Sequence, residues 1–123
     1  MDAQHLYRIV LIDDSRMARL GLREQLNRTA EFRIVGEAAS MAEGLELIER
    51  LNPDLVLLDI SLPDGSGVQA CCRLVAGRPD TRVLILSVYD DPAVFREAIA
   101  AGAQGYVLKD TPVAMWRNAM RRA

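Results

Sequence analysis

Cysteine and histidine are scarce in this chain of 123 residues. The two cysteines, Cys71 and Cys72, are adjacent in sequence. Two thiols without spaced partners form neither a disulfide framework nor a structural zinc site, so we expect small reduced residues in a cytoplasmic protein. The single histidine, His5, lies in a polar leader. Any metal that this protein binds is therefore expected to have oxygen ligands.

Excess positive charge and long apolar runs are also absent. The formal net charge is −2, so no general positive field would attract nucleic acid. No apolar run approaches the roughly 20 residues of a membrane-spanning helix, and Met1 to Arg8 lack the apolar stretch of a signal peptide. Hydrophobic residues nevertheless make up 50% of the chain, which is enough for one compact domain with its own core.

Apolar runs alternate with helical patterns along the whole chain. The runs cover residues 8–14, 32–38, 54–59, 82–87 and 105–109. Helical patterns cover residues 15–29, the segment from Ser40 to Pro53, residues 66–77, residues 91–102 and the tail after Pro112. Ser40 with Glu43 has capping-box spacing, and Asp91-Pro92 is a typical helix start.

Continuously apolar strands indicate burial on both faces, as in a parallel sheet covered by helices. The run at 32–38 alternates more and suits a strand nearer an edge. Five alternations predict an α/β domain over residues 1–123. Its predicted architecture is a doubly wound parallel sheet of five strands in the order 2-1-3-4-5, with five helices, of the flavodoxin-like kind.

The residues at the strand ends suggest a function. Asp13 and Asp14 follow the first run, Asp59 ends the third, Ser87 ends the fourth and Lys109 ends the fifth. Each alone is usually a solvated residue or a helix cap. In an open parallel sheet, however, ligands bind at the carboxyl ends of the strands, so these five side chains are expected to share one pocket.

Three crowded carboxylates repel one another unless a cation neutralises them. With no histidine or cysteine nearby in sequence, a hard divalent ion such as Mg²⁺ is the expected partner. Such a site prepares a carboxylate for phosphoryl transfer, because the metal screens the charge of the incoming group. Lys109 and Ser87 would then contact phosphate oxygens.

These motifs resemble the receiver domain of bacterial two-component response regulators, over essentially the whole chain. The carriers are Ile12-Asp13-Asp14, residues 57–65, Ser87 and Lys109. Residues 98–110 resemble the subgroup that has a LuxR-type helix-turn-helix output domain.

The resemblance implies a phosphorylation site that depends on Mg²⁺. Asp59 would be the phosphoacceptor, receiving its phosphoryl group from a sensor histidine kinase. Asp13, Asp14, Asp59 and the backbone carbonyl of Ser61 would hold Mg²⁺. The protein would thus be a signalling switch and not an enzyme, although it takes part in its own phosphorylation and dephosphorylation.

The resemblance also implies a switch mechanism. Ser87 matches the switch hydroxyl, Lys109 the lysine that pairs with phosphate, and Tyr106 the switch aromatic. A half-buried tyrosine of an edge strand is the alternative for Tyr106. Two features depart from the family pattern: Asp110 stands where proline, with a cis bond, often follows the lysine, and Tyr89 is bulky where a small residue is common.

The implied output lies outside this chain. The last helical pattern runs to Ala123 without a cap, which we interpret either as a fraying end or as a domain cut from a longer protein. We expect a homodimer after phosphorylation, DNA contact only through a separate output domain, and no membrane contact.

Three alternative functions compete with that of a receiver. A phosphatase of the haloacid dehalogenase type needs a second acid two residues after its nucleophile, where Ser61 stands, and a cap domain that this length cannot hold. A flavodoxin needs a phosphate-binding loop, whereas the loop here opens Asp13-Asp14-Ser15. A receiver-like interaction module that works without phosphate stays open.

Overall fold

The structure is a computed structural model that describes residues 6–88 and 91–110, without the side chains of residues 65 and 66. Four helices alternate with the five strands of the main sheet along the described chain. The strands are β1 (Tyr7–Ile12), β2 (Phe32–Ala38), β3 (Leu55–Asp59), β4 (Arg82–Ser87) and β5 (Gly105–Leu108). The helices are α1 (Arg16–Asn27), α2 (Met41–Leu51), α3 (Gly67–Gly77) and α4 (Pro92–Ala100). The fifth predicted helix, after Pro112, lies outside the described residues.

The five strands form one parallel sheet in the order β2-β1-β3-β4-β5, which confirms the predicted fold class and strand order. The register aligns the carboxyl ends of the central strands. Ile12 pairs with Leu58, Asp59 with Leu86, and Ser87 with Leu108. Residues at or just after these ends therefore share one edge of the sheet, where α/β proteins bind their ligands.

Both faces of the sheet are covered, because alternate side chains of each central strand point to opposite sides. On one face Ile12, Leu58 and Ile85 pack with buried residues of α2, α3 and α4. On the other, residues such as Leu57 and Leu84 pack with the buried side chains of α1. Burial on both faces explains the unbroken apolar runs of β1, β3 and β4, whereas β2 lies at the edge of the sheet, as its alternation predicted.

Helices α2 and α4 each begin at an N-cap residue. Ser40 accepts a hydrogen bond from the Glu43 amide at 3.3 Å, and Asp91 accepts one from the Ala93 amide at 2.9 Å, with Pro92 in the first turn. Both predicted caps are thus confirmed. Helix α2 closes on Asn52, whose φ of 47° is left-handed, one residue before a proline.

One element was not predicted: a short antiparallel hairpin between β3 and α3. Ser61–Leu62 pairs with Gly65–Ser66. Strands of two residues are too short to show a hydrophobic period, so the sequence pattern carries no sign of them. No cis peptide bond occurs in the described ranges, which include the bond from Lys109 to Asp110. None of the described helices is long and apolar enough to cross a membrane.

Candidate functional site

Three carboxylates meet at the carboxyl edge of the sheet. Asp13 directly follows β1 and is fully buried, while Asp59 ends β3 and is 5% exposed. Asp14 is exposed. One carboxylate oxygen from each of the three lies within 4.8 Å of the others. The continuous apolar strands β1 and β3 place Asp13 and Asp59 at this edge, because each strand stays in the core up to its last residue.

Lys109 supplies a positive charge to this cluster. Its Nζ lies 2.7 Å from Asp13 Oδ2 and 3.2 Å from Asp59 Oδ2. Its backbone amide donates to the Ser87 carbonyl at 2.8 Å, which fixes the start of the side chain just beyond the paired ends of β4 and β5. One ammonium therefore bridges the ends of β1 and β3 while its own backbone is bound to β4.

The other carboxylate oxygens are held by the chain itself. Asp13 Oδ1 accepts the Ser15 amide at 2.9 Å, and Asp59 Oδ1 accepts the Ser61 amide at 3.2 Å. Both acids thus point one oxygen at a backbone amide two residues ahead and the other at Lys109. This arrangement fixes the side-chain orientation of both acids.

Burial and charge act in opposite directions on these groups. The pKa of Asp59 is raised overall, chiefly by burial and also by the neighbouring carboxylate of Asp13. The hydrogen bond from the Ser61 amide and the charge of Lys109 lower this pKa without cancelling the rise. Burial alone would lower the pKa of Lys109, but its contacts with Asp13 and Asp59 outweigh that effect and raise it. The surroundings therefore favour the protonated form of Lys109 and disfavour the ionised form of Asp59.

The donor set suits a hard divalent cation. Asp13 Oδ2 is buried and receives no well-oriented hydrogen bond from the described residues, although the Lys109 ammonium lies within ion-pair distance. Such an oxygen has capacity for a further cationic partner. All three side chains offer oxygen, the ligand that Mg²⁺ prefers, and the Ser61 carbonyl follows Asp59 closely in the chain. The residues present therefore fit the expected metal.

Ser87 and Tyr106 lie on the two strands beyond Asp59. Ser87 is fully buried at the end of β4, the strand next to that of Asp59. Tyr106 is partly buried in β5, opposite Ile85, and its ring meets that of Phe95 edge to face, with centroids 5.7 Å apart. Phe95 belongs to α4, so this contact joins α4 to β5. Tyr89 lies outside the described residues.

Sequence reasoning missed three residues that shape the site. Arg19 donates to the Asp13 carbonyl at 2.6 Å, and its Nε lies 3.5 Å from Glu37 Oε1. Asp64 accepts two amide hydrogen bonds from α2. A Cβ at Gly67 would lie 2.3 Å from the Asp59 carbonyl oxygen, so only glycine allows α3 to start so close to the end of β3. An arginine on a helix or an acid in a loop usually points to solvent. Only their tertiary contacts distinguish Arg19 and Asp64 from such solvated residues.

Residues 9–121 match the family described as the response regulator receiver domain, and the chain belongs to this family. The fold and the strand-end acids thus define a two-component receiver, as the sequence motifs predicted. Within that family the relatives are regulators of the NarL and LuxR type.

Two curated relatives illustrate the similarity. The chain is 41% identical over 105 residues to the DNA-binding transcriptional activator DevR/DosR of Mycobacterium tuberculosis, covering 85% of this chain and 48% of that protein. It is 36% identical over 110 residues to the nitrate/nitrite response regulator NarL of Escherichia coli, covering 89% and 51%. The chain therefore spans about half the length of the curated relatives it matches.

Solved structures agree with this assignment. The receiver domain of the putative response regulator NarL from M. tuberculosis superposes with a TM-score of 0.85 at 34% identity, covering 96% of this chain and 99% of that one. A LuxR-family response regulator from Aurantimonas gives 0.87 at 32% identity, covering 94% and 83%.

Proposed function

We propose that this receiver is a switch that accepts a phosphoryl group on Asp59 from the phosphohistidine of a sensor kinase in the cytoplasm. The observation that carries the proposal is the position of Lys109, whose ammonium contacts Asp13 and Asp59 at the edge where three carboxylates meet. An acceptor for an anionic group needs a nucleophilic oxygen with positive charge beside it, and Asp59 has both.

The proposed reaction is a nucleophilic displacement at phosphorus. A carboxylate oxygen of Asp59 forms the new bond to phosphorus while the bond to the histidine nitrogen breaks. The bonding electron pair stays on the imidazole, which takes a proton from water and leaves as the neutral ring. Asp13, Asp14, Asp59 and the Ser61 carbonyl would hold Mg²⁺, which when bound screens the negative charge of the incoming group. The Lys109 ammonium lies where it can pair with a phosphoryl oxygen.

Phosphorylation gives the acceptor side chain nearly one further negative charge. We infer that Lys109 and the Ser87 hydroxyl turn toward the phosphoryl oxygens and that Tyr106 moves when the end of β4 moves. A charge-assisted hydrogen bond is worth about 1.5–3 kcal/mol, so two such contacts approach the roughly 5.5 kcal/mol that converts a 1:99 mixture of states to 99:1.

The output of the switch is proposed from the relatives. DevR/DosR is described as a DNA-binding transcriptional activator and is about twice as long as the matched segment. We propose that this chain regulates transcription through a separate DNA-binding domain, and that phosphorylation favours a homodimer. The receiver itself does not contact DNA in this scheme.

Intact-mass spectrometry after incubation with acetyl phosphate tests the proposal. With Mg²⁺ the wild type is expected to gain the mass of one phosphoryl group, whereas without Mg²⁺, or in Asp59→Asn, the gain falls at least tenfold. Asp80→Asn is a matched control, because that acid lies outside the carboxylate cluster and should not affect the gain. Equal labelling of Asp59→Asn and the wild type would refute the assignment. No labelling of the wild type by acetyl phosphate or by its kinase would favour a module that works without phosphate.

A further inference from the structure

The carboxylate of Asp64 joins the hairpin that follows the acceptor to helix α2. Asp64 Oδ1 accepts the Met41 amide at 2.8 Å, and Oδ2 accepts the Ala42 amide at 3.0 Å. These are the first two amides of α2, which have no partner inside the helix. A single side chain, 22 and 23 residues away in sequence, therefore satisfies both of them.

Helix α2 already has a cap of its own. Ser40 accepts the Glu43 amide, one turn into the helix, so its hydroxyl serves a different donor from the two that Asp64 takes. Asp64 also places a negative charge at the positive end of the helix dipole. The hydrogen bonds of Asp64 thus add a tertiary contact to a helix start that Ser40 already caps locally.

The hairpin carries this link back to the acceptor. Asp64 lies in the turn between the two short strands, in which Leu62 pairs with Gly65 and Ser61 pairs with Ser66. At the base of the same hairpin, the Ser61 amide donates to Asp59 Oδ1 at 3.2 Å. Hydrogen bonds at both ends, and the strand pairing of the hairpin between them, therefore connect the start of α2 to the acceptor carboxylate.

The two ends of the hairpin are held in different ways. At the base, the Gly67 amide donates to the Ile60 carbonyl at 2.8 Å, and the close approach of Gly67 to Asp59 leaves no space for a side chain. At the turn, Asp64 is exposed, and its two hydrogen bonds join it to the neighbouring helix. Loss of these bonds would leave the hairpin held through its base and through the buried side chain of Leu62.

We propose that Asp64 is a positioning residue for the acceptor site: it fixes the hairpin on α2 and so keeps the Ser61 amide on Asp59 Oδ1. The same hairpin carries the Ser61 carbonyl, so Asp64 also positions that carbonyl for Mg²⁺. This second consequence rests on the proposed function, whereas the effect on the Ser61 amide does not.

Three variants separate positioning from simple helix capping. Asp64→Ala removes both contacts to α2. Asp64→Asn keeps one acceptor oxygen and is expected to recover part of the effect. Ser40→Ala is the matched control, since it weakens the start of the same helix without touching the hairpin. Circular dichroism and thermal unfolding verify that each variant folds.

Amide hydrogen exchange of metal-free protein, measured by NMR, is the primary readout. In Asp64→Ala the Ser61 amide is expected to exchange at least fivefold faster than in the wild type, together with Met41 and Ala42. Ser40→Ala should accelerate the Glu43 amide and leave Ser61 within twofold. If Asp64→Ala accelerates Met41 and Ala42 but not Ser61, Asp64 is only a helix cap and the proposal is overturned.

Calorimetric titration with Mg²⁺ tests the second consequence. The dissociation constant is expected to rise about three- to tenfold in Asp64→Ala and to change less than twofold in Ser40→Ala. An unchanged constant in Asp64→Ala would overturn the role of this residue toward the metal. If the wild type itself binds no Mg²⁺, the proposed function fails, and the exchange of Ser61 still decides whether Asp64 positions the acceptor.

Discussion

Replacing Lys109 with methionine is expected to lower the free energy of unfolding by about 2 kcal/mol at pH 7 in EDTA. Methionine preserves most of the apolar stem and removes the charge, which leaves buried Asp13 and Asp59 facing each other without their cation. Breaking a fully buried ion pair costs about 3–5 kcal/mol. The smaller figure here reflects the 19% exposure of the Lys109 side chain. Urea unfolding followed by circular dichroism measures the difference.

Two controls make the Lys109 result specific. Arg28→Met removes a cation from an exposed pair with Glu24, and the expected loss is at most about 0.5 kcal/mol. Adding Asp13→Asn to Lys109→Met should restore about 1 kcal/mol of the free energy of unfolding, because the second substitution removes a buried charge that has lost its cation. A Lys109→Met variant as stable as the wild type would show that the ammonium does not neutralise this cluster.

The same variant should respond more strongly to Mg²⁺. Without the ammonium, both oxygens that faced Lys109 are left to the metal, so binding is expected to tighten while the metal-free protein becomes less stable. Stabilisation by a ligand grows with the logarithm of one plus the ratio of its concentration to its dissociation constant. Thermal unfolding at several Mg²⁺ concentrations is therefore expected to give a larger rise in Tm for Lys109→Met than for the wild type at each concentration. An equal or smaller rise would contradict competition between the two cations.

Replacing Asp59 with asparagine is expected to stabilise the metal-free fold by about 1 kcal/mol at pH 7. Asparagine keeps the shape of the side chain and an oxygen that accepts the Ser61 amide. It removes a charge that is disfavoured first by burial and then by the neighbouring carboxylate of Asp13. Thermal unfolding in EDTA measures this gain. In Mg²⁺ the difference in stability between Asp59→Asn and the wild type should become smaller or change sign, because the variant has lost a metal ligand. If Asp59→Asn is less stable than the wild type in EDTA, the charge of Asp59 does not destabilise the metal-free fold.

The effect of Asp59 depends on pH in a definite direction. Its pKa is raised in the folded state, so folding binds a proton, and stability from this group is complete below the ordinary value of 3.8 and lost as pH rises through the folded pKa. The gain in Asp59→Asn should be absent near pH 3 to 4 and appear as pH increases. Asp64 serves as a control of opposite sign, since the amides of Met41 and Ala42 lower its pKa. Its contribution is present at neutral pH and lost as pH falls.

The strand runs predicted most of the fold because burial on both faces leaves an unbroken apolar signal. That signal also located Asp13, Asp59 and Ser87, since each stands where an apolar run stops. The convergence of these positions follows from the rule that parallel strands end at one edge. The ion-pair geometry of Lys109 was not predictable in detail, because it depends on how far the loop after β5 carries the side chain.

The missed contacts share a physical cause. Asp64 reaches amides more than 20 residues away, and the guanidinium of Arg19 reaches the carbonyl of Asp13 from the next helix. Neither shows a local spacing that a sequence pattern could report, because the partner is a backbone atom. A helix cap binds an amide two or three residues away and can be predicted from its spacing, whereas a side chain that binds a distant backbone atom has no recognisable partner residue in the sequence.

Lys109 has one further consequence for how a signal could leave the acceptor site. The residue is bound at two places: its amide donates to the Ser87 carbonyl, and its ammonium, at the end of four methylenes, is held by the carboxylates of Asp13 and Asp59. A new anion at Asp59 can therefore draw the ammonium without breaking the sheet. In the proposed switch, this pull would pass along one side chain to the backbone junction of β4 with β5, the strand that carries Tyr106. The signal would then travel as a change of partner by a single cation, over the length of one lysine side chain.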